Sequence, residues 1–390
     1  MKTVFRVFLP LLVVLIQLGF TAGSVSAAVT GDCVNCHTMH NSQDGQAVDD
    51  TSGTPLNSAQ VNLLNSDCLG CHTNASGSAT IVTIGTGNTS RVPIVLTGAM
   101  PTDPPLPTGS ASNVLAGGNF YWVAQGDDTK GHNVFGLRGT TFAANVDGNL
   151  SEAPGNAQFV GTGSNCNDCH GTLATETSGC KGCHFAAHHV DDGAANAVTG
   201  QGDGWYRFLS GAPMVTARDP GTSTRNALLA IDGVIGVEDG DWEQTPTAHN
   251  VYKGATGFTS AGTGGINGNS IGLYCTGCHS RFHHDMGGAD DGMQNTSGAW
   301  IRHPSDVVLP GTGTEYAAYS YTALAPVAYG TIDAAGVGST ELVTCISCHR
   351  PHGSSFPDML RWDYNGCVTN TENTECGCFS CHTAKDGVIP

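Results

Sequence analysis

The sequence predicts a chain of mostly irregular backbone, with short helices and a few short strands, wrapped around a core that its own side chains do not supply. Three observations carry that expectation. Glycine accounts for 54 of 390 residues, roughly twice the usual share. Charged residues make up only 12% of the chain and hydrophobic residues 39%, with Ser, Thr, Asn and Asp filling much of the rest. The Leu, Ile, Val and Phe needed for several large cores are therefore missing. No sustained heptad or long amphipathic period runs through the sequence. This composition would suit disorder, but 16 Cys and 16 His do not belong to a disordered tail.

Taken in order, the chain begins with an export signal. Lys2 and Arg6 precede an apolar run from Val7 to Leu18, and Val25-Ser26-Ala27 fits a small-x-small cleavage site. Residues 1–27 therefore read as a signal peptide, with the mature start near Ala28. The apolar run is too short for a permanent anchor, and no second one follows, so the expectation is export without a stable membrane anchor. Residues 28–390 read as one continuous unit without clean internal boundaries. Losing Lys2 and Arg6 takes the net charge from −18 to −20. With no basic stripe to neutralise phosphates, nucleic acid is excluded as a partner. The acidity suits a soluble, self-repelling surface or a cationic partner.

Fourteen of the 16 cysteines fall into seven copies of Cys-x-x-Cys-His: Cys33, Cys36 and His37; Cys68, Cys71 and His72; Cys166, Cys169 and His170; Cys180, Cys183 and His184; Cys275, Cys278 and His279; Cys345, Cys348 and His349; Cys378, Cys381 and His382. This is the attachment pattern of c-type haem. Two thiols two residues apart reach the two vinyl groups of one porphyrin, and the next residue supplies an axial nitrogen to the iron. Chance would give roughly 0.03 matches in a chain of this Cys and His content. Zinc ribbons do not need a His after every Cys pair, and a thioredoxin-like site needs one motif on a βαβ frame. The missing core is thus a continuous stack of seven covalently bound haems, whose burial replaces side-chain packing. Cys367 and Cys376 are left over. Their nine-residue spacing permits a disulfide in an oxidising compartment. Alternatively, Cys376 with Cys381 forms a wider attachment motif that leaves Cys378 free.

Seven six-coordinate irons need seven distal ligands. The histidines outside the motifs are His40, His132, His188, His189, His249, His283, His284, His303 and His352. One from each adjacent pair plus the five single ones gives seven, which favours bis-histidine coordination throughout. His40 and His352 lie three residues after a proximal His, and His188 and His283 lie four after. Such neighbours share one face of a turn, whereas the two axial ligands of one iron sit on opposite sides of the porphyrin. Each must therefore reach a different haem. Around His132 and His249 a faint repeat recurs, Gly131-His132-Asn133-Val134-Phe135 against Ala248-His249-Asn250-Val251-Tyr252. Each lies in a long spacer and would return one ligand to the haem chain. The spacers are turn-rich, as at 100–107 and 261–265. Strand candidates are Ile81–Ile84, Val92–Leu96 and Asn119–Ala124. Ser58–Asn65 is a helix candidate, and short helices should accompany several motifs.

The residues also resemble the OmcS-type multihaem cytochromes, which polymerise into extracellular electron-conducting filaments. The opening from Cys33 through Thr38-Met39-His40 is similar to the family's opening. So is the ending, from Cys345 to His352, then Asp358 to Trp362 and the last motif. Between them, Lys130-Gly131-His132-Asn133, Tyr206-Arg207-Phe208, Cys275 through His283, Arg302-His303-Pro304 and Ala323 to Pro326 fall in the same order. The resemblance implies that His40, His132, His283, His303 and His352 are distal ligands. It further implies that His40 crosses to the haem at Cys345 and Cys348 of a neighbouring subunit. The family carries six haems and an Asp-Pro-His after its third motif. Here Gly171-Thr172 follow His170, and an extra motif opens at Cys180 with His188-His189 behind it, which implies one inserted haem.

These readings lead to an electron conduit rather than an enzyme. It would be a filament of bis-His haems, located extracellularly or at the cell surface, whose partners are other copies of itself, redox partner cytochromes and extracellular electron acceptors. A monomeric periplasmic shuttle is the alternative. A multihaem nitrogen-compound oxidoreductase is a more distant one, since such enzymes need an iron with an exchangeable position, often with an unusual proximal ligand, and all seven motifs end in His.

Overall fold

The computed structural model describes residues 37–47, 59, 63, 68–83, 91–102, 114–134, 137, 179–184, 197–198, 205–209, 233–239, 249–255, 269–275, 303, 305–310, 319–333 and 336–385. Among them, regular structure comes in short pieces, as the glycine-rich composition requires. The helices are single turns: α1 (Cys68–Cys71), α2 (Tyr121–Ala124), α3 (Ile271–Cys275) and α4 (Cys345–Cys348). None of the described helices is long and apolar enough to cross a membrane.

The strands are equally brief. β1 (Ser42–Gln43) and β2 (Gln46–Ala47) form a hairpin whose two connecting residues, Asp44 and Gly45, have φ of 53° and 76°. This is the left-handed pair that matches the twist of a two-residue hairpin loop. β3 (Thr73–Asn74) runs parallel to β6 (Leu96–Thr97), and β4 (Ile81–Thr83) runs antiparallel to β5 (Arg91–Pro93). The remaining six strands are β7 (Ala197–Val198), β8 (Gly236–Val237), β9 (Val251–Lys253), β10 (Val307–Val308), β11 (Ala328–Ile332) and β12 (Gly338–Val343). They form one sheet in the order β10-β12-β11-β9-β8-β7, antiparallel except between β9 and β11. The β11–β12 hairpin turns at Asp333, whose carboxylate accepts from the Val337 amide, and Gly336 supplies the positive φ of 81°.

Two sequence expectations are corrected here. Asn119–Ala124 is not a strand, because Tyr121–Ala124 forms α2. The buried Asn119 side chain accepts from the Tyr121 amide at 2.9 Å, a local bond that starts a turn instead of a ladder. Val92–Leu96 is not one strand but parts of β5 and β6. Pro93 has no amide to continue a ladder, and the chain exchanges its antiparallel partner β4 for the parallel partner β3. Ser58–Asn65 lies outside the described residues apart from Ala59 and Leu63, and neither of these is helical.

Among the described residues, buried apolar side chains gather in three small clusters, and each cluster touches a Cys-x-x-Cys-His motif. Leu69, the residue after Cys68, packs with Phe120, Val123, Val134 and Leu137. Ile346, the residue after Cys345, belongs with Tyr206, Val234, Tyr252, Leu273 and Ala328. Leu324, Ala325 and Trp362 pack against Cys348, Cys367 and Cys378.

Candidate haem-binding sites

Four motifs share one local geometry. The amide of the motif histidine donates to the carbonyl of the first cysteine four residues back: His72 to Cys68 at 3.0 Å, His184 to Cys180 at 2.8 Å, His349 to Cys345 at 3.0 Å and His382 to Cys378 at 2.9 Å. The motif is thus one closed turn, which puts both thiols on one face with the imidazole at its end. At α4 the Thr344 amide donates to Ser347 Oγ at 3.0 Å and the Ser347 amide to the Thr344 carbonyl at 2.9 Å, which satisfies two amides at the start of the turn.

A second layer fixes the rings. Nδ1 of His72 donates to the Pro93 carbonyl at 2.7 Å, that of His184 to Arg207 at 2.8 Å and that of His349 to Asp358 at 2.8 Å. Two distal candidates do the same, His132 to Pro351 at 2.7 Å and His249 to Asn250 at 2.9 Å. A carbonyl can only accept, so the proton sits on Nδ1, and the lone pair of the neutral ring is on Nε2. This is the tautomer that metal-ligating histidines adopt. Burial lowers the affinity of His72, His132, His184, His249 and His349 for a second proton, outweighing the carbonyl bonds that would raise it. His352 is depressed furthest, to about 3, first by burial and then by His184, His132 and His72 around it.

Two of the acceptor carbonyls are presented by strained backbone. Trp205, Arg207 and Phe208 have φ of 60°, 51° and 57°, and Asp358 and Met359 have 59° and 57°. Non-glycine residues in this region are uncommon and cluster at functional sites. Arg207 also pairs with Glu238 at 3.2 Å. Arg361, 1% exposed, donates to the carbonyls of Ile346, Ala323 and Ala116 and so ties α4 to two other segments. The composition gave no sign of these roles. Their only signal was that Tyr206-Arg207-Phe208, Ala323 to Pro326 and Asp358 to Trp362 are segments that carry the resemblance.

The structure brings several of the proposed ligands together. His352 packs on Phe120 at 4.8 Å, and its ring centroid lies 6.0 Å from that of His184, which belongs to another motif. His303 lies 6.2 Å from His382. Two imidazoles on opposite sides of a metal, with bonds of about 2 Å, have centroids about 6 Å apart, so both pairs fit an axial set. The motifs themselves adjoin: α3, which ends at Cys275, packs against α4, and Tyr274 donates to the Cys183 carbonyl. Cys348 neighbours Cys378 and Cys381, and burial first, then these thiols, push it up to about 12. The described donors therefore fit covalently attached haem.

Other candidates are placed differently. His249 stacks on Tyr321, with centroids 3.4 Å apart, and is not paired with a motif histidine in the described residues. His40 is exposed, with φ of 55°, on a turn held by the Asn41 amide donating to Thr38 Oγ1 at 3.0 Å. Cys367 and Cys376 form a disulfide. Cys33, Cys36, Cys166, Cys169, His170, His188, His189, Cys278, His279, His283 and His284 lie outside the described residues.

Residues 338–387 match the family described as the doubled CXXCH motif, which spans the last two motifs. Over 384 residues the chain is 26% identical to the C-type cytochrome OmcS of Geobacter sulfurreducens, covering 85% of this chain and 78% of that protein. The chain is similar to an OmcS-type cytochrome. Covalent c-type haem is accordingly its cofactor class. Among solved structures, it is similar to the Outer Membrane Cytochrome S filament from Geobacter sulfurreducens, with 21% identity and a TM-score of 0.47, covering 89% of this chain and 86% of that one.

Proposed function

We propose that this OmcS relative is an exported multihaem cytochrome that conducts electrons through seven closely stacked bis-His haems and polymerises into an extracellular filament serving external acceptors. The observation that carries the reading is the adjacency of the motifs. The turn that carries Cys275 packs on the turn that carries Cys345 and bonds to the Cys183 carbonyl through Tyr274, and Cys348 and Cys378 pack against one small apolar cluster, so cofactors attached there are held close together. Haem supplies reversible one-electron chemistry at iron. The chain's residues do the rest. The cysteines fix position, the Nδ1–carbonyl bonds fix ring orientation and tautomer, and the apolar clusters exclude water beside the turns at Cys68, Cys345 and Cys378.

In this reading His37, His72, His170, His184, His279, His349 and His382 are the proximal ligands. His184 with His352 and His382 with His303 are axial pairs, and the remaining distal ligands come from His40, His132, His249 and one each of His188/His189 and His283/His284. His40 serves a haem of the neighbouring subunit. Residues 1–27 are removed on export, and 28–390 behave as one unit.

Intact-mass spectrometry of the secreted chain tests the count, with seven haems on residues 28–390 expected. A mass fitting six or eight overturns it. Electron microscopy of the same material tests the assembly. Filaments are expected, and particles of one subunit at every concentration would instead select the periplasmic shuttle.

A further inference from the structure

Cys367 and Cys376 belong to none of the seven motifs, yet their disulfide does not stand apart from them. The sulfur atoms of Cys367, Cys376 and Cys378 all lie within 4.8 Å of one another. Cys376 is 1% exposed, and its carbonyl accepts from the Phe379 amide at 3.0 Å. It therefore sits at the start of the same turn that carries Cys378 and Cys381. Read with His382, Cys376 and Cys381 make a second attachment frame, Cys-x-x-x-x-Cys-His, overlapping the Cys-x-x-Cys-His of Cys378. Two sulfurs in reach of each other thus precede one cysteine and one histidine.

We propose that the Cys367–Cys376 disulfide sets the register of haem attachment at the last motif by withholding Cys376. A thioether forms when a thiol S–H adds across a vinyl C=C, sulfur to one carbon and hydrogen to the other, with no leaving group and no net oxidation. A disulfide sulfur has no S–H to add, so only Cys378 and Cys381 offer thiols while the bond is intact. Cys367 is the partner that keeps Cys376 out of reaction. Its own sulfur lies near the Asp363 carbonyl, at 3.9 Å. The nine-residue loop also anchors the segment against Leu324, Ala325 and Trp362.

This inference rests on the last motif carrying haem. Peptide mass mapping of the parent protein checks that separately, by finding a haem peptide linked through Cys378 and Cys381. A parent without that peptide overturns the haem assignment itself. The test of the disulfide is Cys367→Ser in the full chain, matured with haem in an exporting host. The expected result is a second haem peptide linked through Cys376 and Cys381, absent from the parent. Cys367→Ser with Cys378→Ser should retain a doubly linked haem through Cys376, whereas Cys378→Ser alone should hold haem by Cys381 only. Cys367→Ser with Cys376→Ser should return to a single species on Cys378 and Cys381, which separates loss of register from loss of fold. If Cys367→Ser attaches haem solely through Cys378 and Cys381 and leaves Cys376 open to alkylation, the proposal is wrong.

Discussion

His40 and His352 stand in the same place in sequence and in opposite places in structure. Each follows a motif histidine by three residues, so neither can cross to the far side of its own iron. His352 is enclosed. Gly117 comes up to its ring and accepts from its amide, Phe120 covers it, and His184 of a different motif faces it. His40 is exposed beside Met39, which is 72% exposed, at the tip of a turn whose buried residues are Thr38 and Asn41. Spacing decides that a ligand must leave its own haem. Under the proposed reading, burial separates a ligand that would stay within the chain from one that would reach outside it.

The largest expected effect is at the enclosed site. His352→Ala removes a half-buried ring and its packing on Phe120, which should cost about 1–3 kcal/mol. It should also convert the haem facing His184 to high spin in isolated subunits. Thermal unfolding and magnetic spectra check both. A variant with unchanged Tm and all haems low-spin breaks the comparison on this side.

His40→Ala should do the reverse. Seven haems and the subunit's Tm are retained, while filaments are lost or become fragile and one haem per chain turns high-spin. Normal polymers with only low-spin haems would remove the inter-subunit role.

Acid sharpens the contrast at the enclosed site. Unfolded His352 takes a proton near pH 6.5, whereas burial and its histidine neighbours hold the folded ring neutral down to about 3. The unfolded state therefore binds more protons between these values, and stability falls as pH drops from about 6.5 toward 3. Above 6.5 this contribution is complete. Denaturant midpoints across that window should decline steadily for the parent and less steeply for His352→Ala.

The smallest effect is Gly117→Ala. A Cβ there would meet Nδ1 of His352 at 3.1 Å, a contact tight enough to tilt the ring without expelling it. A shift in the spectrum of one haem with a stability change of about 1 kcal/mol or less is expected, with filament formation unaffected.

The attachment turns were legible in the sequence because the chemistry itself dictates their spacing, and α1, α4 and the turn at Cys378 follow directly from it. The strand at Ile81–Thr83 was also legible, from β-branched residues bounded by turns, though its antiparallel pairing was not. The six-stranded sheet was not. β7, β8 and β10 are two residues each, too short to show alternation, and tertiary pairing alone defines them. Asn119–Ala124 misled because its aromatic residues favour strands while the Asn119 side chain starts a turn. The carbonyls that orient the histidines were invisible for a different reason: every residue has a carbonyl, and only the left-handed backbone at Arg207 and Asp358 singles these out.

The three small apolar clusters have a consequence for the cell. Each rests on an attachment turn, so a chain that has not received its cofactors has little to fold around. Correct folding then becomes a report on iron and porphyrin supply. A cell short of either would make chains that spend longer unfolded and are cleared by proteases.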